Sequence, residues 1–167
     1  IHESQSRLWE NCIGRSKDFV EYNFPLLQSF FPSQLQNITP DLFYKGINKV
    51  HPTFIRTEAD ELTYHFHVMI RYEIEKMLIE GNIKTADIPA YWNEHYKEYL
   101  GVIVPDDNRG CLQDVHWSHG SIGYFATYSI GSLYAAQFFA VILNENPGLP
   151  AEIKNGNRTT AEQYHVG

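Results

Sequence analysis

Apolar residues recur at spacings of three and four over most of this chain, the period of a helix with one buried face. In "SRLWENCIGRSKDFVEYNFPLLQSFFP" the series runs Leu8, Cys12, Ile13, then Phe19, Val20, Phe24, Leu27 and Phe30. Pro25 has no N–H and is expected to kink or restart that segment. "TPDLFYKGINKV" carries Thr39 as N-cap and Pro40 at the first helical position. A long helix follows within "PTFIRTEADELTYHFHVMIRYEIEKMLIEGN", ending at Gly81. "TADIPAYWNEHYKEYLG" predicts another, stopped by Gly101, and "VPDDNRG" is a loop punctuated by Pro105 and Gly110. The last long helix is expected from about Gly123 to Leu143. The tail "KNGNRTTAEQYHVG" is polar and weakly patterned, as a frayed or cut end would be. Alternation of period two is nearly absent. "YLGVIVP" is the one stretch where a short β ribbon fits, near 100–115. The pattern therefore predicts one mainly α domain over residues 1–167.

Composition narrows what such a domain does. The chain has 167 residues, 43% hydrophobic and 14% aromatic, enough to build a core. Its formal net charge is −7, with no Lys/Arg run, so nucleic acid is not an expected partner. Cys12 and Cys111 form no CxxC and no metal-ligand pair, which suits a reducing, cytoplasmic setting. "YFATYSIGSLYAAQFFAVIL" is broken by Ser, Gly, Thr and Gln and reads as a buried helix rather than a membrane span. No signal peptide is visible; the chain does not begin with Met, so an upstream segment is expected.

Three polar clusters stand out. In "HESQSR", Glu3 and Arg7 lie four apart on one helix face. They form either an exposed ion pair or, in the functional reading, Glu3 is a metal ligand. In "FIRTEADELTYHFH", Glu58, Asp60 and Glu61 suit the positive end of a helix, but Arg56 at the same end does not. An arginine there suits a bidentate carboxylate partner. His65 and His67 are two apart, a poor metal pair on a helix, and read as packed or surface side chains. The third cluster, "GCLQDVHWSHGSIGYFATYSIGSL", crowds Gln113, Asp114, His116, Trp117, His119, Tyr124 and Tyr128 into a short span. Asp114 is placed to accept a ring proton of His116, and Tyr124 and Tyr128 share a face. Donors of this kind suit an oxyanion or a terminal carboxylate. The chain contains no GxSxG, no GxGxxG and no His-Glu-x-x-His.

Together, "HESQSRLWEN", "IRTEADELTY" and "GCLQDVHWSHGSIGYFATYSIG" resemble, in order and spacing, three signature blocks of the M32 metallocarboxypeptidases, the thermostable or Taq carboxypeptidase family. The likeness covers Ile1 to about Gly156, and the last ten residues depart from it. The resemblance implies a helical half of a cleft fold like those of neurolysin and angiotensin-converting enzyme. It implies removal of single residues from peptide C-termini, and a homodimer. It also implies one divalent metal, zinc first, with cobalt or manganese as replacements. Of the family's metal ligands only the Glu of the first block falls here, on Glu3; two His ligands are missing from this chain.

The roles implied are these. His116, with Tyr124 or Tyr128, donates to the oxyanion that develops on the reacting carbonyl, and Asp114 orients His116. Arg56 clamps the substrate's terminal carboxylate, with Arg109 and Gln113 as weaker candidates. A chain with one ligand of three is expected to be inactive in isolation. The competing readings are a non-catalytic helical piece, or a module for peptide binding or dimerisation.

Overall fold

A computed structural model describes residues 2–157 and 159–164; Ile1, Arg158 and His165–Gly167, including part of the tail expected to depart from the family, lie outside it. Every regular element among the described residues is helical. The chain packs as two compact units, Ile1–Lys49 with Ile130–Gly167, and Val50–Ser129.

The first unit begins with α1 (His2–Arg7), which widens into a π-helical turn over Leu8–Gly14. The Arg15 N–H bonds to Glu10 O at 3.0 Å, five residues back. That wider turn lets Leu8 and Ile13, also five apart, both enter the core. α2 (Lys17–Phe30) starts at Ser16, whose hydroxyl accepts from the Phe19 N–H. The helix does not restart at Pro25 but runs through it, and the chain restarts at Ser16 instead. Pro25 is on the exposed side, where the carbonyl it leaves unbonded can turn to water. α3 (Pro32–Leu35) and α4 (Pro40–Ile47) follow, with Thr39 capping α4 through Leu42 N–H as its sequence predicts.

The second unit is built on α5 (Tyr64–Ile79) and α6 (Ile88–His95), the latter continuing as a π turn over Tyr96–Leu100. Gly81 (φ +74°) ends α5: its N–H bonds Leu78 O and the next N–H, of Asn82, bonds Met77 O. Gly101 (φ +66°) ends the second π turn. Ile70, Ile74, Trp92, Tyr96, Leu100 and Cys111 form its core. The β ribbon expected near 100–115 is absent among the described residues. Val102 and Val104 pack on that core and Ile103 faces out, so the alternation is real, but the segment has no strand to pair with.

Residues 101–125 form a long irregular connection before α7 (Ala126–Glu145), which begins three residues later than its pattern predicts. Within the first unit α7, α8 (Leu149–Lys154) and α9 (Thr159–Gln163) close the core of Leu8, Ile13, Ala135, Ile142, Leu149, Ile153 and Ala161. The tail is thus not frayed at α9: Ala161 is buried and Tyr164 packs on the same core. α7 approaches α1 closely at Gly131, where a Cβ would lie 2.6 Å from Glu3 Cβ and 3.0 Å from Glu3 C. α7 is long and apolar enough to cross a membrane; one side packs in the first unit's core, and within this chain 17% of its apolar stretch is buried.

Candidate functional site

The polar residues of the second unit converge on Asp114. Arg56 sits in a short 3-10 turn (Arg56–Glu58) and sends Nε and Nη2 to Asp114 Oδ1 at 2.9 and 2.7 Å. Arg71, in the middle of α5, sends Nε to Asp114 Oδ2 at 2.6 Å. All three side chains are nearly buried, at 7%, 0% and 10% exposure. Burial pushes the Asp114 carboxyl up, but the two guanidiniums outweigh it and hold it below the usual range. The cations are also seated on aromatic faces, Arg56 over Tyr128 at 5.0 Å and Arg71 over Trp92 at 4.4 Å.

α5 carries a polar stripe through this core. His67, Arg71 and Glu75 follow one another at four-residue steps and all are buried. Arg71 Nη1 donates to His67 O and Tyr96 Oη, and His67 Nδ1 shares a 2.9 Å bond with the same hydroxyl. Burial, with the charges of Arg71 and Arg56, pushes the His67 imidazole down to about 3, so it stays neutral. Glu75 Oε1 accepts from the Trp117 indole N–H at 2.8 Å.

These contacts explain how an irregular loop can hold a site. The connection before α7 is pinned by three side chains. Gln113 accepts from Arg56 N–H at 2.8 Å and donates to Phe54 O at 2.9 Å; Asp114 takes the two arginines; Trp117 reaches Glu75. Between the last two anchors lies His116. Its Nε2 shares a 2.8 Å bond with Tyr128 Oη, and the Tyr124 ring lies against it at 6.0 Å. The Phe125 ring packs against it at 4.3 Å. Burial, helped by the Arg56 charge, lowers the His116 pKa and favours the neutral ring.

The sequence-predicted residues are therefore brought together, but with different partners. Asp114 does not orient His116: the nearest approach is 3.9 Å to Nδ1, which has no hydrogen-bond partner among the described residues. Tyr128 holds the ring instead, because two cations claim the carboxylate. Arg56, expected to clamp a substrate carboxylate, already spends Nε and Nη2 on Asp114 and Nη1 on Tyr64. Arg109 is exposed, paired with Asp106 through Nε at 2.9 Å, and Gln113 is a loop anchor. His65 bonds Ser129 through Nδ1, and Asp60 accepts from Leu62 and Thr63 N–H at the start of α5, the local cap its position suggests. Arg71, His67, Tyr96, Tyr64 and Glu75 were not singled out by function. For His67, Arg71 and Glu75 the signal was the four-residue polar step inside an apolar helix.

Glu3, in the first unit, lies half-buried on α1, with Ser4 and Gln5 buried behind it and Gly131 of α7 against its backbone. A carboxylate is a suitable donor to a divalent ion. Among the described residues, however, no three His, Cys, Asp or Glu side chains come together as a metal centre.

The profile of the family described as "Carboxypeptidase Taq (M32) metallopeptidase" matches residues 1–165. This chain belongs to the M32 carboxypeptidase family. It is 46% identical over 153 residues to thermostable carboxypeptidase 1 of Pyrococcus furiosus, covering 92% of this chain and 30% of that protein. It is 43% identical over 164 residues to carboxypeptidase 1 of Bacillus subtilis, covering 98% and 33%. The crystal structure of the M32 carboxypeptidase from Deinococcus radiodurans superposes with a TM-score of 0.91 at 41% identity, covering 98% of this chain and 33% of that one. The chain thus spans about a third of the length of these M32 relatives, and the match includes the C-terminal segment whose sequence looked unlike the family.

Proposed function

We propose that this chain forms part of a metal-dependent carboxypeptidase that releases single residues from peptide C-termini. Membership of the M32 family supports the reaction class. The observation that carries the site is the half-buried His116–Tyr128 pair with Tyr124 against it. A neutral imidazole with the proton on Nε2 donates to Tyr128 Oη and turns the phenol's own hydrogen toward the substrate. Such a donor stabilises the oxyanion that develops as the peptide carbonyl is attacked. Glu3 is the one metal ligand assigned to this chain. A divalent ion held by it, zinc first with cobalt or manganese as replacements, would supply Lewis-acid chemistry. A homodimeric assembly and a cytoplasmic setting belong to the same reading.

Arg56 enters this scheme in one of two ways. Its contacts favour a positioning role, in which it fixes Asp114 and hence the loop that carries His116. The alternative is that it turns to clamp the substrate's terminal carboxylate. The test uses an M32 enzyme carrying this segment. Tyr128→Phe is expected to lower kcat by about 10²-fold with little change in KM, by the usual cost of one oxyanion donor. An unchanged kcat removes Tyr128 from the chemistry. Arg56→Lys, assayed on a peptide and on its C-terminal amide, separates the two roles of Arg56: equal losses mean positioning, and a loss confined to the free carboxylate means a clamp.

A further inference from the structure

α7 has two apolar sides and this chain covers one of them. Gly131, Ala135, Phe139 and Ile142 line the side that enters the first unit's core, spaced four, four and three apart. On the other side Ile130, Tyr134, Phe138 and Val141 repeat the same spacing, with Leu133 beside them, and all are exposed. Leu133 is 64% exposed and Val141 53%. No charged residue occurs from Ala126 to Leu143. The exposed stripe runs into an apolar groove of about 210 Å³ lined by Gln5, Leu8, Phe138, Val141, Ile142 and Tyr164. At its wall Gln5 is buried, and its Oε1 has no partner among the described residues.

A helix that is apolar all round is an interior helix. Lipid is the wrong cover for this one. Its second side carries Gln137 and the Tyr134 ring among the apolar residues, and its first side is already packed against protein through a glycine seated on the α1 backbone. The M32 relatives contain about twice as much chain again as is matched here. We propose that the exposed side of α7 and the adjoining groove form an internal packing face for a further helix of the M32 fold, supplied by the polypeptide that corresponds to the unmatched part of those relatives. Its contact side is uncharged, with one large apolar side chain in the groove. This rests on family membership and not on the catalytic reading.

The test labels a cysteine on that face. Leu133→Cys is placed in this chain, and in a hybrid in which this chain replaces the matched third of Bacillus subtilis carboxypeptidase 1. Maleimide is expected to react readily in the chain alone and at least about tenfold more slowly in the hybrid, as a packed interface protects its side chains. Equal rates in the two overturn the proposal. So does protection in the chain alone that grows with its concentration, which would assign the face to a second copy, or protection by phosphatidylcholine vesicles, which would assign it to lipid. A hybrid that does not fold is replaced by co-expression of the two pieces. The wild-type chain should then capture the remainder and Leu133→Glu should not; capture by both, or by neither, overturns the proposal. No readout depends on catalysis, so a protected but inactive hybrid leaves the packing face standing and removes the functional reading alone.

Discussion

Asp114 is the residue on which the second unit's polar core turns. Two guanidiniums meet its two oxygens, and each arises from a different part of the chain. Replacing it with Asn leaves both cations short of a charge partner in a buried place. Asp114→Asn is expected to lower stability by about 3–5 kcal/mol, read as a shift in the urea midpoint. His67 makes a separate expectation with a definite sign. Its folded pKa, about 3, lies below the ordinary value of 6.5. Between those values the unfolded chain binds a proton and the folded one does not, so stability falls as pH drops from about 6.5 toward 3. The loss is on the order of a few kcal/mol, and His67→Gln should flatten the slope above about pH 4.5, before carboxylates such as Asp114 titrate. At this scale the residues of the site were legible but their partners were not. Arg56, Gln113, Asp114 and His116 announce themselves by type and crowding. That Asp114 would turn from the nearby His116 to Arg71, 43 positions away, depends on a tertiary contact that local spacing does not carry.

Helices and their ends were the most readable elements, because one residue often decides them. Thr39 caps α4, and Gly81 and Gly101 end α5 and the turn after α6 in left-handed conformations. Gly81→Ala is expected to cost about 1 kcal/mol in a thermal or urea melt, the price of placing a Cβ at positive φ. Gly131 acts differently. It has no special dihedral; its role is the approach of α7 to Glu3. Gly131→Ala must push α1 aside, since the new Cβ would meet backbone and not a flexible tip. A cost of about 1–3 kcal/mol is expected. If the melt is unchanged, the close approach of these helices is not what holds α1. The elements that sequence misplaced share one feature: their outcome depends on neighbours. Pro25 is tolerated because it faces water, and Val102–Val104 alternates without a partner strand.

At the scale of the molecule, the chain divides its candidate chemistry between two units. The first carries Glu3 on a helix buttressed by Gly131; the second carries His116, Tyr124 and Tyr128 on a loop and helix start anchored by Arg56, Arg71 and Glu75. The resemblance read from three sequence blocks and the family match over residues 1–165 agree on what kind of protein contains these units. We propose that Glu3 is a ligand of a catalytic metal in an enzyme of that kind. The measurement that tests it most directly takes the hybrid M32 enzyme and its Glu3→Gln variant, and records bound zinc together with release of the C-terminal residue from a peptide, before and after chelator. Expected are about one zinc per wild-type chain, activity abolished by chelator and restored by zinc, and a variant that holds zinc about 10–100-fold more weakly and turns over correspondingly little. A Glu3→Gln enzyme with wild-type zinc content and activity, or a wild-type enzyme indifferent to chelator, would contradict it.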